Sequence, residues 1–331
     1  MPQILGKEVG PIGLGLMGFT SFAGRPDGPS IDESVEVLKA AFNNGMTLWN
    51  GAEIYGNPEK NSMTLVNAYF TKYPEDTDKV ILSMKGCLNP ATYQPDGSPE
   101  FVRQSIDNIL KQLGGKKKLD LFSCARRDPK TSFDVTMSVI KEYIDTGKIG
   151  GFALSECSVE TIEQAVKYTK VHLAELELSM FSPDILNNGI AAACAANDIA
   201  IIAYSPIGRG MLTGKYRTAE DFQGRGLISQ FPRFQKEAFD HNIKLVHSVE
   251  ALAKKKGCTT PQLAISWVQH NSKRSGVPTV IPIPGAVAVS RVTENAELIP
   301  LSEEEFAAIS DIVHNFETVG NRYPDQFPVN T

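Results

Sequence analysis

Tyr55 stands in the segment "NGAEIYG", Lys85 closes the apolar run "VILSMK", and Asn50 begins the first of these segments. An ammonium group beside a phenol pulls the phenol's pKa down, and so helps it give or take a proton near neutrality. A tyrosine or a lysine alone at a strand end is more often structural or solvated. The pair in successive units tilts the reading toward chemistry. Asn50 can accept a hydrogen bond from Lys85 but brings no charge to offset it.

Such side chains converge only if each ends a strand of one sheet. Short apolar runs, each followed by a stretch with helical spacing, recur along the chain. They are "IGLGLMG" (12–18), "GMTLWNG" (45–51), "KVILSMKG" (79–86), "LDLFSCA" (119–125), "IGGFALS" (149–155), "LAELELS" (173–179), "IAIIAYS" (199–205) and "PTVIPIPG" (278–285). Helix signals lie between them. Ser30 to Glu33 reads as a capping box, and Ser98-Pro99 and Thr260-Pro261 each put proline at a first helical position. Val102, Ile106, Ile109, Leu110 and Leu113 share one helical face. Eight strand-helix units without a linker predict an α/β chain folded as one (β/α)₈ barrel domain over residues 1–331, with "QILGKEV" as a hairpin closing the barrel floor. A doubly wound sheet is the lesser alternative.

"GLGLMG" (13–18) matches G-x-G-x-x-G, the dinucleotide fingerprint of a strand-to-helix turn. The prolines and glycines of the following "FTSFAGRPDGPS" argue against a helix there, and Asp32 and Glu33 fall at a helix start, not a strand end. We therefore read Gly13, Gly15 and Gly18 as strand-end glycines that permit close approach of backbone or ligand. The irregular section 206–235 follows the seventh run, where barrel loops are usually functional.

A length of 331 residues with 42% hydrophobic and 21% charged content suits a globular protein with a large core. The net charge of −5 gives no electrostatic reason to expect nucleic acid or an anionic membrane as partner. Lys116-Lys117-Lys118 reads as a solvated turn. Five cysteines without a C-x-x-C pair suggest reduced thiols, and no metal-ligand pattern is evident. "MPQILGKEVG" has no signal-peptide character and no apolar run approaches a membrane span, so a cytoplasmic protein is expected.

With these residues in view, the chain resembles the aldo-keto reductases over nearly its whole length. The family's "DTAxxYG" appears as "NGAEIYG", its strand-three lysine as Lys85, its "AYSPLGxGxLTGKY" as "AYSPIGRGMLTGKY" (203–216), and its "PIPGxxxxxRxxEN" as "PIPGAVAVSRVTEN" (282–295). The resemblance implies a barrel that binds NADPH in extended form without metal, with Tyr55 as general acid and Lys85 its partner. It also implies that Ser155 and Glu175 hold the nicotinamide carboxamide and that Tyr204 stacks on the ring. Ser205, Pro206, Ile207, Gly208, Lys215 and Arg225 would lie along the pyrophosphate, Arg291 at the adenosine 2′-phosphate, and Glu294 and Asn295 near the adenine. Leu16, Met17 and Gly285 would line the same path.

Two departures stand out. The family's aspartate beside the lysine is Asn50, and its strand-four histidine is Ala125. The neighbouring Arg126 reads as an outward partner of Asp128, with an inward donor as the sharper alternative. The combination of "NGAEIYG", "SMKG", "GGKKKLDLFSCARRDP" and "LSECSVETI" resembles the pyridoxal reductases of fungal vitamin B6 metabolism. That implies reduction of pyridoxal to pyridoxine, with Trp49, Phe19 and Tyr93 as candidates to stack on its ring. Other aromatic or sugar aldehydes, or a cofactor-binding redox sensor or regulatory subunit with weak catalysis, remain open. The sequence leaves oligomeric state undetermined.

Overall fold

All eight apolar runs form strands of one parallel sheet. After a hairpin of β1 (Gln3–Ile4) and β2 (Lys7–Glu8), they are β3 (Leu14–Gly15), β4 (Leu48–Ala52), β5 (Ile81–Gly86), β6 (Leu119–Cys124), β7 (Ile149–Ser155), β8 (Val171–Glu177), β9 (Ala200–Tyr204) and β10 (Val280–Pro282). The computed structural model describes residues 1–21, 28–325, 327 and 329–331, and Leu227 through its backbone alone. The strands pair in sequence order, which is barrel order, and the doubly wound alternative falls away. A parallel bridge between Gly15 and Gly285 closes the ring, beside a 2.9 Å hydrogen bond from Gly13 N–H to the Pro282 carbonyl.

That seam explains two of the early glycines. A Cβ on Gly13 would come within 2.6 Å of the Leu48 carbonyl oxygen, and one on Gly15 within 2.9 Å of the Ile283 carbonyl oxygen. Only glycine lets the first strand lie this close to both neighbours. Met17–Phe19 is a single 3₁₀ turn, and the first described α-helix is α1 (Ile31–Asn43), whose first turn holds Asp32 and Glu33. The fingerprint reading is thereby removed, although residues 22–27 of the following segment lie outside the described residues.

The helices are α1, α2 (Ser62–Lys72), α3 (Pro99–Leu113), α4 (Phe133–Asp145), α5 (Val159–Ala165), α6 (Ile190–Ala196), α7 (Lys236–Lys256), α8 (Thr260–His270), α9 (Val289–Ala296) and α10 (Glu303–Asn315). Ser30 and Glu33 form the capping box, and Pro99 opens α3. At α8 the signal is shifted by one residue, because Thr259 is the cap and shares a capping box with Gln262. The 206–235 section is a chain of short 3₁₀ turns ahead of α7. Lys117 is not solvated: it is buried and ion-paired to Asp120 at 2.6 Å, while Lys116 and Lys118 are exposed.

The barrel separates two apolar regions. Ile4 and Val9 of the hairpin region pack with Leu48, Ile81, Leu121, Leu173, Ile202, Ile281 and Ile283 in one cluster, which plugs the floor of the barrel as expected. The turn between β1 and β2, Leu5-Gly6, has φ of 51° and 74°, as a two-residue hairpin turn with both central residues left-handed requires. The strand residues between these positions, such as Trp49, Leu82, Phe122, Ala174 and Ile201, belong to the larger cluster beneath the helices. Side chains alternate across a strand. With Leu48, Ile81, Leu173 and Ile202 facing inward, Asn50, Lys85, Glu175, Glu177 and Tyr204 share that inward face nearer the C-terminal end. The same alternation puts Trp49 in the packed core; Phe19, in the 3₁₀ turn, is also fully buried and Tyr93 is exposed, so the three do not share one face as the stacking wall suggested from sequence would need. Truncating the plug with Ile4→Ala should cost about 2–5 kcal/mol, read as a lower urea midpoint with the spectrum of the folded state retained.

Candidate active site

Lys85 lies at the centre of the inward face. Its Nζ donates to Glu175 Oε1 at 2.7 Å, to Glu175 Oε2 at 2.8 Å and to Asn50 Oδ1 at 2.9 Å. Asn50 closes the triangle by donating from Nδ2 to Glu175 Oε2 at 2.7 Å. All three are buried. Asn50 therefore accepts from Lys85, as its amide allows, but the charge that offsets the lysine comes from Glu175 on β8. The sequence reading placed Glu175 beside the cofactor carboxamide and missed this partnership. Its inward register, two residues beyond Leu173, was the available signal.

Tyr55 is held by the tight loop after β4. Its N–H donates to the Ala52 carbonyl at 3.1 Å, its carbonyl accepts from Ser62 N–H at 3.2 Å, and Gly56 follows with φ of 115°. A Cβ on Gly56 would lie 2.1 Å from the Lys60 carbonyl oxygen, so that turn needs glycine. Lys85 Nζ sits 5.1 Å from the centre of the Tyr55 ring. Burial pushes the phenol up most, Lys85 pulls it down, and Glu175 and the Tyr323 phenol push it up again, leaving it above its ordinary value. The lowered phenol expected from the lysine alone is thus reversed, because desolvation outweighs the ammonium. Burial lowers the Lys85 ammonium, but Glu175 and Tyr55 outweigh it and Lys85 ends above its ordinary value. The pair is a protonated phenol beside a protonated amine.

The mouth above this pair is covered by the C-terminal segment. Arg322 donates to both Glu156 carboxylate oxygens at 3.1 Å, and Tyr323 donates its hydroxyl to Tyr204 at 3.1 Å. Tyr204 in turn donates to Glu156 Oε1 at 2.8 Å. Arg209, Arg233 and Arg322 surround buried Glu177 at 3.9, 3.7 and 3.5 Å. Arg209 also lies 4.8 Å from the ring centres of both Phe231 and Tyr323. None of Glu156, Glu177, Arg209, Arg322 and Tyr323 was singled out from sequence, because their partners come from β7, β8, the long loop and the C-terminal segment.

Ala125 is buried where the family's histidine would be. Arg126 turns inward: its guanidinium is 5.5 Å from the Tyr323 ring centre and donates to its own neighbour's carbonyl, Ala125 O, at 2.6 Å. The expected Arg126–Asp128 ion pair is absent among the described residues. Asp128 is instead occupied by Gly97 N–H at 3.0 Å, Lys130 N–H at 2.8 Å and the Thr131 hydroxyl at 2.6 Å.

The residues implied for a cofactor lie toward the C-terminal ends of β7, β8 and β9, on the segments after β3, β9 and β10, and on α9. Ser155 and Glu175 are register neighbours on β7 and β8. Leu16 is buried and donates its N–H to Asn50 O at 2.8 Å, while Met17 is half-buried beside it. Ser205, Gly208, Arg209 and Gly210 all have left-handed φ, from 53° to 101°, around Pro206 and Ile207. Non-glycine residues held there store strain of the kind found at functional sites. Lys215 and Arg291 are exposed, Arg225 donates to Arg209 O at 3.1 Å, Arg291 pairs with Glu294, and Asn295 is buried. A Cβ on exposed Gly285 would meet nothing nearer than Gly15 O at 3.7 Å. Protein packing alone does not require glycine there, and together with the cationic loops this fits an extended, phosphate-bearing ligand. No group of three or more His, Cys, Asp or Glu side chains among the described residues could hold a metal ion. No described helix is long and apolar enough to cross a membrane.

Residues 11–314 match the Aldo/keto reductase family, to which the chain belongs. It is similar to a Schizosaccharomyces pombe protein named "Probable pyridoxal reductase 2", 40% identical with 98% of each chain covered. A second S. pombe relative, "Aldo-keto reductase yakc", carries NADP(+) in its name and is 31% identical over 97% of this chain and 93% of its own. The fold is also that of a glycerol dehydrogenase from Gluconobacter oxydans, at a TM-score of 0.80 and 23% identity, covering 99% of this chain and 98% of that one.

Burial raises the Glu156 carboxyl, but Arg322 and Arg126 pull it further down, below its ordinary 4.5. A depressed carboxyl contributes stability that is full above the unfolded value and is lost as pH falls through the folded one. Protection of the amides across residues 320–325, taken against the unstructured exchange rate at the same pH, should therefore fall in Glu156→Gln at neutral pH, and in the unaltered protein on acidification below 4.5. Unchanged protection in both would mean that the segment is held by packing alone.

Proposed function

We propose that the protein is an NADPH-dependent reductase of aldehydes with pyridoxal as its substrate. The observation that carries the reductase reading is the buried Lys85 set 5.1 Å from the Tyr55 ring at the barrel mouth. The pyridoxal reading is supported by the name of the 40% identical relative. Bound NADPH would supply a hydride to the aldehyde carbon. Tyr55 gives its proton to the aldehyde oxygen, and its raised phenol pKa keeps that proton in place throughout the neutral range. Lys85 stabilises the negative charge that appears on the phenol oxygen afterwards.

Ser155 and Tyr204 are assigned to the nicotinamide end of the cofactor, with Glu175 close by. Ser205 to Gly208, Lys215 and Arg225 are assigned to the pyrophosphate, and Leu16, Met17 and Gly285 to the adjoining wall. Arg291 is assigned to the 2′-phosphate, with Glu294 and Asn295 by the adenine. Arg291→Ala should then weaken NADPH by about tenfold or more and leave NADH nearly unchanged in fluorescence titrations; equal weakening would put the 2′-phosphate elsewhere.

Pyridoxal carries a phenolic hydroxyl beside its aldehyde, which polarises the carbonyl from within and reduces the need for a donor at Ala125. Steady-state NADPH oxidation with pyridoxal, its 3-deoxy analogue and simple aromatic and sugar aldehydes tests the reading. Selective turnover of pyridoxal, lost in Tyr55→Phe and falling on the alkaline side only above pH 10.0, is expected. Faster turnover of another aldehyde would change the substrate. The C-terminal cover over the mouth favours a second reading, a redox sensor, and tight NADPH binding with slow turnover on every aldehyde would select it.

A further inference from the structure

Lys85 has one full negative charge within hydrogen-bond reach, and it does not come from β4, the neighbouring strand that leads into the Tyr55 loop. Asn50 on β4 is neutral, and its amide is oriented by both neighbours: Oδ1 accepts from Lys85 at 2.9 Å and Nδ2 donates to Glu175 Oε2 at 2.7 Å. The carboxylate sits two strands beyond β6, on β8, yet its two oxygens lie 2.7 and 2.8 Å from the ammonium. Three inward residues from three strands thus form a closed set with one cation, one anion and one amide. An ion pair this deeply buried is stable only while it is matched, since a single remaining charge would stand in low dielectric without compensation.

We propose that Glu175 is the positioning residue of the site: it holds Lys85 charged and aimed at Tyr55, with Asn50 as the neutral strut between them. This role rests on the reading of Tyr55 as proton donor, and it differs from a contact with the nicotinamide. The groups facing Lys85 are Glu175, Asn50 and Tyr55, and Tyr55 in turn faces the Tyr323 phenol of the C-terminal segment. Removing the carboxylate leaves burial as the dominant influence on Lys85, which favours the neutral amine. A neutral amine stabilises the departing charge on Tyr55 less, so turnover falls and its alkaline limit moves to lower pH. Asn50→Asp alone puts a second carboxylate against Glu175 Oε2, where the asparagine now donates, and is harmful for the opposite reason. Asn50→Asp with Glu175→Gln restores one anion and one amide in exchanged positions.

The experiment follows the Lys85 side chain by ¹³C NMR of lysine-labelled protein across pH, with Lys85→Arg identifying the signal, alongside pH profiles of kcat and the Kd of NADPH. In Glu175→Gln the Lys85 titration should fall by about one pH unit or more and kcat by about tenfold or more, with NADPH affinity kept within about threefold. The exchanged pair should return both readings most of the way, a strongly non-additive cycle. An unmoved Lys85 titration, or a loss confined to NADPH affinity, overturns the proposal. If Glu175→Gln does not fold, the exchanged pair decides: recovery of fold and of the Lys85 titration supports the assignment, and failure of both overturns it. Should the unaltered protein turn over no aldehyde while Lys85 titrates as described, the reductase reading fails and the pairing stands.

Discussion

A closed barrel sends every second residue of every strand into one enclosed space, and any charge that arrives there must find its opposite in that space. This constraint organises the molecule. At the floor the inward positions are apolar and meet the hairpin plug; toward the mouth they become Asn50, Lys85, Ser155, Glu175, Glu177 and Tyr204. The polarity gradient along the barrel axis separates a part that only packs from a part that does chemistry. Within the second part, Lys85 and Glu175 satisfy each other across the lumen, with the protonated phenol of Tyr55 beside them.

Two layers of charge result. The lower one, Lys85 with Glu175, is neutral as a pair and tight, with contacts of 2.7 and 2.8 Å. The upper one is looser and unequal, with Glu177 held by three arginines at 3.5 to 3.9 Å and Glu156 gripped by Arg322 from the C-terminal segment. The tight pair suits a function that requires fixed geometry. The longer Glu177 contacts suit a surface that must exchange partners when a molecule enters, because none of those three ion pairs is at ideal hydrogen-bond distance.

Much of this was legible in the residues themselves. Strand number, strand order, the hairpin and the Ser30–Glu33 capping box follow from period and cap chemistry, which are local. Lys85 and Asn50 were legible because they lie toward the C-terminal ends of strands, and Tyr55 because it follows in the adjoining loop, all in quotable segments. What escaped was pairing across the lumen. Nothing local tells Glu175 on β8 that its partner is on β5, and reading Arg126 against Asp128 followed nearness in sequence where the loop geometry turned the two apart. Trp49 was an avoidable miss, since the alternation that puts Asn50 inside puts its neighbour outside. Lys117 shows the same lesson for charge runs: one of three lysines is buried because Asp120, three residues on at the start of β6, pairs with its ammonium at 2.6 Å.

The floor plug sets the order in which the chain can be completed. Ile4 and Val9 precede every barrel strand in the chain, but they pack on Ile281 of the last strand and Ile283 just after it as well as on the strands between. During synthesis the hairpin has no finished seat until β10 emerges and the Gly15–Gly285 seam shuts. Contacts between segments so distant in sequence are slow to form, and partly assembled barrels carry exposed apolar surface while they wait. The feature that makes the finished barrel watertight at its base therefore leaves the nascent chain open for longest, and makes it a natural client for chaperones.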